Sequence, residues 1–192
     1  YALSLLVEAE SNPKAAAQIT SMDGELDRIE RIVRDFLRYA RPSDPKLAAC
    51  SVAEVAESFH RDFCGEMAAR GVSFQVHVEN NTIFQADPQQ VRQVLLNLTR
   101  NAADACLGQE NARVSLHASV VPGRVIFAVS DNGGGLSEEA SGNLFVPFAT
   151  SKRGGTGLGL AVSRAIARKH GGDLVLAATG EGITRFELHL PA

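Results

Sequence analysis

The sequence predicts an α+β fold: a two-layer α/β sandwich with a mixed, mostly antiparallel sheet and three helices on one face, preceded by a long helix. Short segments in which apolar and polar residues alternate predict the strands, and turns containing glycine or proline separate most of them. Longer segments with apolar residues at helical spacing predict the helices. A heptad pattern near the start of the chain predicts the preceding helix.

The composition is that of an ordinary globular protein. Of the 192 residues, 45% are apolar and 21% are charged, and the net charge of −3 gives no basic bias that would indicate nucleic acid. Cys50, Cys64 and Cys106 form no CxxC pair, which argues against a disulfide framework or a zinc site and favours a cytoplasmic location. No apolar run approaches the roughly 18 residues that span a bilayer. Because the chain starts at Tyr1 inside a helical pattern, we interpret it as a fragment, and a membrane anchor upstream stays open.

The long helix is predicted over residues 14–41, after a break at Pro13 that follows the end of an earlier helix. Its apolar positions recur at alternating intervals of three and four residues: Ile19, Met22, Leu26, Ile29, Val33, Phe36 and Ala40. This heptad seam favours a dimeric helical bundle formed with a second copy of the chain, and packing on its own domain is the alternative. Pro42 and Pro45 end the helix. We therefore predict a partial helical dimerisation domain over residues 1–45 and a second domain over residues 46–192.

Capping signals start two helices of the second domain. Ser51 and Glu54 form a capping box for a helix that ends before Gly71, and Asp87 followed by proline begins the central helix. Strands are predicted over residues 73–80 and 82–86, the second as an edge strand, and in hairpins over residues 112–131 and 173–190, with a third helix over residues 157–170.

The central helix carries a polar group beside its apolar face. Asn97 and Asn101 are four residues apart and project from one side, and Arg100 and Asp104 lie close to them. Amide oxygens suit Mg²⁺, and a guanidinium pairs with phosphate, so this side of the helix is a candidate rim for a magnesium–phosphate group. An ordinary solvated helix face is the alternative.

A glycine-rich loop follows the predicted strand that ends at Asp131. Gly133 and Gly135 would let the backbone approach a flat ring, while the Asp131 carboxylate accepts a hydrogen bond from an exocyclic amine. This arrangement favours adenine over guanine. A simple tight turn is the alternative.

A second glycine loop leads directly into the third helix. Successive amides at a helix start bind anions, although the spacing is not that of a Walker loop. Between the two loops, Phe145 and Phe148 are predicted apolar anchors, and Lys152 precedes the second loop. The segment is predicted to be a mobile lid that closes a cation over phosphates. The loop comprises Gly154, Gly155, Thr156, Gly157, Leu158 and Gly159.

Four motifs occur in a familiar order: NLTRNAADA, DNGGGL, LFVPFATSK and GGTGLGL. They resemble the N, G1, F and G2 boxes of the catalytic domain of two-component sensor histidine kinases. ELDRIERIVRDFLRYARP resembles the second helix of their dimerisation domain. The resemblance implies the Bergerat-type ATP-binding sandwich that these kinases share with gyrase, heat-shock chaperone and mismatch-repair ATPases.

The resemblance also implies residue roles. Asn101 would be the main Mg²⁺ ligand, with Asn97 nearby as the second residue of the metal site, and Arg100 and Lys152 would contact phosphate. Asn97, Arg100 and Lys152 form the implied catalytic set. The implied nucleotide-binding set is Asn101, Asp104, Asp131, Gly133, Gly135, Phe145, Phe148, Lys152, Gly155, Thr156, Gly157, Leu158 and Gly159.

The chain departs from the family at the phosphoacceptor. Its five histidines, His60, His77, His117, His170 and His189, all lie outside the bundle segment, and none is expected to have an adjacent acid that could accept its proton. The acceptor is therefore expected upstream of Tyr1. The implied function is a cytoplasmic histidine autokinase that uses Mg-ATP, forms a homodimer through the bundle and phosphorylates a response-regulator receiver domain.

Two other functions stay open. A clamp ATPase of the gyrase or chaperone type carries a glutamate base where this chain has Asn97, and an amide is a poor base. A docking module that no longer binds ATP would not need Asp131, Asn101 and both glycine loops.

Overall fold

The computed structural model describes residues 13–40, 43–150, 155–180 and 182–192. The predictions made for residues 1–10, Pro42, Lys152 and Gly154 lie outside these ranges. The helices are α1 (Pro13–Ala40), α2 (Val52–Ala69), α3 (Pro88–Ala105), α4 (Glu138–Gly142) and α5 (Gly159–Lys169). The strands are β1 (Ala48–Ser51), β2 (Ser73–Val78), β3 (Ile83–Ala86), β4 (Arg113–Val121), β5 (Arg124–Asp131), β6 (Asp173–Gly180) and β7 (Ile183–Pro191).

The main sheet has five strands in the order β2-β4-β5-β7-β6. The pair β2–β4 is parallel, and the other three pairs are antiparallel. The predicted mixed, mostly antiparallel sheet is therefore confirmed. The segment predicted as an edge strand, β3, instead pairs with β1 in a separate two-stranded sheet. Four-residue β1 is too short to show an alternating pattern, so the sequence did not reveal this partner.

The helices α2, α3 and α5 supply the second layer, as predicted, and α3 contacts both of its neighbours. The core between the layers contains fully buried side chains from α2, α3 and the sheet, among them Phe59, Leu95, Leu116, Phe127 and Leu188. Each such side chain contributes about 1.5–3 kcal/mol when it leaves water. This packing holds α3 at the centre of the helical layer.

Local capping determines where α2 and α3 begin. The Ser51 hydroxyl accepts the backbone N–H of Glu54, and the Asp87 carboxylate accepts those of Gln89 and Gln90, as the sequence predicts. Asp87 also accepts the N–H of Lys46 at 2.9 Å, so the start of α3 holds the segment that follows α1.

The long helix α1 forms as predicted, and its apolar seam is exposed in the single chain. Met22, Leu26, Ile29 and Val33 each leave between 49% and 66% of their surface accessible. The helix touches α5, and the Phe36 ring stacks on Phe148 at 6.5 Å. Pairing of the seam across a dimer stays a prediction. Within the described ranges, no helix combines the length and hydrophobicity needed to cross a membrane.

Candidate functional site

Asp131 ends β5 and is buried, with only 7% of its surface accessible. One carboxylate oxygen, Oδ1, accepts the backbone N–H of Gly133 at 2.9 Å. A Cβ on Gly133 would lie 2.7 Å from the Ala105 carbonyl oxygen at the end of α3. Only glycine fits there, so the backbone of the loop lies directly against both the carboxylate and α3.

The same loop is held from its other side by β6. Gly135 has φ of +75°, and a Cβ there would overlap the Gly180 carbonyl oxygen. The next amide, of Leu136, donates to the Thr179 hydroxyl at 2.9 Å. The loop after β5 therefore has a defined path that leaves the buried carboxylate beside the end of α3.

Further towards the start of α3, Asn97 joins this helix to α5. Its amide nitrogen donates to the Ser163 hydroxyl at 3.0 Å, and a Cβ on Gly159 would overlap its amide oxygen. Ser163 is 2% exposed. Asn101 lies one turn further along α3 and is half-buried.

The second glycine loop forms the entry to α5. Gly157 has φ of +66°, and a Cβ there would lie 2.5 Å from the Phe148 carbonyl carbon. The helix therefore begins at Gly159, two residues later than predicted, because a residue in the left-handed region cannot continue a right-handed helix. Thr156 accepts the Leu158 N–H at 3.2 Å, and fully buried Leu158 anchors the loop.

Phe145, one of the two predicted anchors of the segment between the glycine loops, contacts α5. The Arg164 guanidinium lies 4.4 Å from the centre of the Phe145 ring and is held by two hydrogen bonds to Asp173, of 2.8 and 3.0 Å. The hydrogen bond from Arg164 is the largest cause that lowers the pKa of Asp173 to about 2. The second predicted anchor, Phe148, is 58% exposed and contacts Phe36 of α1 rather than the core. The backbone N–H of Phe148 donates to the Gly157 carbonyl oxygen. Phe148 itself has a φ of 66°.

Arg100 and Asp104, predicted to contact phosphate and nucleotide, pair with α2 in this structure, and those predicted roles stay predictions. Arg100 forms two hydrogen bonds with Glu66 of α2, of 3.0 and 2.9 Å, which lower the pKa of Glu66. Asp104 pairs with Arg70 of α2 at 3.1 Å. A three-residue step turns Arg100 about 60° around the helix from Asn97, which directs it to α2 while Asn97 faces α5.

The structure therefore brings part of the predicted site together along α3. Gly159 contacts Asn97, Gly133 contacts Ala105, and Asn101 lies between these two points. Lys152 is outside the described residues. Sequence reasoning missed Ser163, Arg164 and Asp173. The local sequence around a serine or a charged residue does not show which distant side chain it contacts.

The residues present fit a magnesium-bound adenine nucleotide. A buried carboxylate beside a backbone that admits no side chain suits a flat base with an amine donor. No group of three His, Cys, Asp or Glu side chains in the described part of the chain could hold a metal ion. A magnesium ion would therefore depend on amide oxygen and on the nucleotide's own phosphates.

A family profile described as histidine kinase-, DNA gyrase B- and HSP90-like ATPase matches residues 86–192. The chain belongs to this family. It is 34% identical over 172 residues to the sensor histidine kinase ZraS of Klebsiella oxytoca, covering 88% of this chain and 37% of ZraS. The chain spans about a third of the length of the curated relatives that it matches.

Solved structures agree with this assignment. ShkA, determined in complex with AMPPNP, matches with a TM-score of 0.74 and 25% identity, over 93% of this chain and 40% of ShkA. ThkA, determined in complex with the response regulator TrrA, matches with a TM-score of 0.75 and 26% identity, over 91% of this chain and 50% of ThkA. The resemblance to two-component sensor histidine kinases and the ATP-binding sandwich fold are both confirmed.

Proposed function

We propose that this chain is the Mg-ATP-binding part of a histidine autokinase. In the full-length dimer, the γ-phosphoryl group of ATP is transferred to a histidine upstream of Tyr1, giving ADP and phosphohistidine. The phosphoryl group then passes to an aspartate of a response-regulator receiver domain. The AMPPNP complex of ShkA and the TrrA complex of ThkA support the nucleotide and the partner.

The observation that carries the proposal is the position of α3 between the two glycine loops. One loop contacts α3 at Asn97 and the other at Ala105. Eight residues of helix extend about 12 Å, so an elongated ligand along α3 would have its base at one loop and its phosphates at the other. A nucleoside triphosphate has this shape and this order of groups.

Each group of the site then has a chemical role. Asp131 accepts a hydrogen bond from the adenine amine, and Gly133 admits the base. The amides at the start of α5 bind phosphate oxygens, and the Asn101 oxygen is a ligand for Mg²⁺. The metal ion, when bound, neutralises phosphate charge. Positioning and charge neutralisation provide most of the catalysis in phosphoryl transfer.

One feature of the site favours kinase chemistry over ATP hydrolysis. The position that holds a glutamate base in the hydrolysing relatives is Asn97, whose amide contacts Ser163 and cannot activate water at neutral pH. The histidines of the described domain bear on the identity of the phosphoacceptor. His170 is buried and its ring accepts the Asp87 N–H at 3.0 Å. His189 does contact an acid, Glu187, at 2.9 Å, so the expectation that no histidine has an adjacent acid is wrong. Both side chains lie on the open face of the sheet, the face away from the buried core.

A labelling experiment in trans tests the proposal. The fragment is incubated with γ-³²P-ATP alone, and then with a longer chain that carries the upstream helix and the substitution Asn101→Ala. The fragment alone should remain unlabelled and release only traces of phosphate. The mixture should label the longer chain with an acid-labile, alkali-stable phosphohistidine.

Asn101→Ala in the fragment as well is the matched control and should abolish labelling. Strong self-labelling of the fragment would show that the acceptor lies within this chain. Rapid ATP hydrolysis without labelling of the longer chain would place the protein among the clamp ATPases instead.

A further inference from the structure

We propose that Asn97 is a positioning residue that acts through Ser163, rather than a ligand of Mg²⁺. The two side chains form a clamp between α3 and the first turns of α5, and the clamp sets the distance between the metal-binding helix and the phosphate-binding amides. This inference rests on the proposed function and assigns a different role to one residue of that site.

The side chain of Asn97 is in contact with α5 at both ends of its amide. The nitrogen donates to Ser163 at 3.0 Å, and the oxygen lies against the Cα of Gly159, where any side chain would overlap it. Exchanging the nitrogen and oxygen positions changes neither contact, since the Ser163 hydroxyl can donate as well as accept. Both amide atoms therefore face α5.

The burial of Ser163 makes this contact specific. The residue is 2% exposed on a helix whose other buried positions are apolar, including Ala161, Val162 and Ile166. A buried hydroxyl requires a partner, and the Asn97 amide provides one for the Ser163 oxygen. The hydrogen bond thus fixes the rotation of α5 relative to α3.

The clamp lies where such fixing matters for the nucleotide. Gly159 is the first residue of α5, and the amides that bind phosphate immediately surround it. Asn101 is one turn beyond Asn97 on α3. If the clamp opens, the phosphate-binding amides and the metal-binding amide are no longer held at one separation, and nucleotide binding weakens whether or not metal is present.

The two roles of Asn97 differ in how nucleotide affinity depends on Mg²⁺. A metal ligand contributes only when Mg²⁺ is bound, so its loss lowers ATP affinity in magnesium and leaves the affinity in EDTA unchanged. A clamp residue contributes in both conditions. Loss of its hydrogen bond should weaken ATP binding by about 3- to 10-fold with and without metal.

We would measure ATP binding to the fragment by titration calorimetry in MgCl₂ and in EDTA. The variants are Asn97→Ala, Ser163→Ala and the double substitution, with Asn101→Ala as the reference for a metal ligand and Ser119→Ala, on the open sheet face, as the matched control. Asn97→Ala and Ser163→Ala should each lower affinity by similar factors in both buffers. The double variant should be no more than about 2-fold worse than either single variant, because both remove one interaction. Asn101→Ala should lose affinity in magnesium only.

Hydrogen–deuterium exchange without nucleotide provides a second measurement. The amides at the start of α5 should exchange about 3- to 10-fold faster in Asn97→Ala and Ser163→Ala than in the wild type. In Ser119→Ala and Asn101→Ala they should exchange at the wild-type rate. Loss of the magnesium effect in Asn97→Ala alone, with unchanged exchange at α5, would overturn the clamp. If wild type binds no ATP in either buffer, the proposed function fails, while the exchange data still decide whether the clamp exists.

Discussion

Asp131→Asn tests recognition of the base, because it changes one oxygen to an amide nitrogen with almost no change in shape. The amide oxygen can still accept the Gly133 N–H that Asp131 Oδ1 accepts at 2.9 Å, so the loop should keep its path. What is lost is a charged acceptor at a position that is 7% exposed. A hydrogen bond to a charged group contributes about 1.5–3 kcal/mol, so ATP affinity should fall by about 10- to 150-fold.

Calorimetric titration with ATP and with GTP measures this effect directly. Wild type should bind ATP and bind GTP poorly, since guanine has a carbonyl where adenine has its amine. The free energy of unfolding should change by less than about 1 kcal/mol, and Asp62→Asn, an exposed carboxylate of α2 paired with Arg92, should leave ATP binding unchanged. Equal affinity of the wild type for ATP and GTP, or an unchanged ATP affinity in Asp131→Asn, would refute the assignment of the carboxylate to adenine.

Three further predictions concern stability and assembly. Gly135→Ala, at φ of +75° and against the Gly180 carbonyl, should lower the free energy of unfolding in urea by at least about 2 kcal/mol, whereas Gly134→Ala, whose added Cβ meets nothing within 4 Å, should be mild. The pKa of Asp173 is lowered from 3.8 to about 2, so its ion pair with Arg164 stabilises the fold fully above pH 3.8, and this stabilisation is lost as the pH falls through 2. Because solvent screens the pair, Asp173→Asn should lower the free energy of unfolding by about 0.5–1 kcal/mol at pH 7 and by almost nothing at pH 2. Leu26→Lys, in the exposed seam, should abolish concentration-dependent dimerisation in sedimentation velocity, and a wild-type fragment that stays monomeric at high concentration would contradict the bundle.

Residues close in sequence decided most of the fold, and those parts could be predicted. Ser51 and Asp87 cap their helices through amides only two or three residues away. The glycine loops and the alternation of the strands are equally local. Such features depend on backbone geometry within one turn or one pleat, so a pattern in the sequence is sufficient to identify them.

The functional motifs were also recognisable because they are short and occur in order. Asp131 is at the end of a buried strand. Gly133 and Gly135 each lie so close to neighbouring backbone that no side chain would fit, as the choice of glycine suggests. The sequence by itself therefore determined the family and the positions of its motifs, while the roles of these residues in binding Mg-ATP stay predictions.

Only the tertiary structure decided which side chains meet across helices. Asn97 forms a hydrogen bond with Ser163, which is 66 residues away in the sequence, and Arg100 forms one with Glu66, which is 34 residues away. Both are polar residues on α3, yet one faces α5 and the other faces α2. That division depends on how the core rotates α3 between its neighbours, a property of packing that no window of sequence contains.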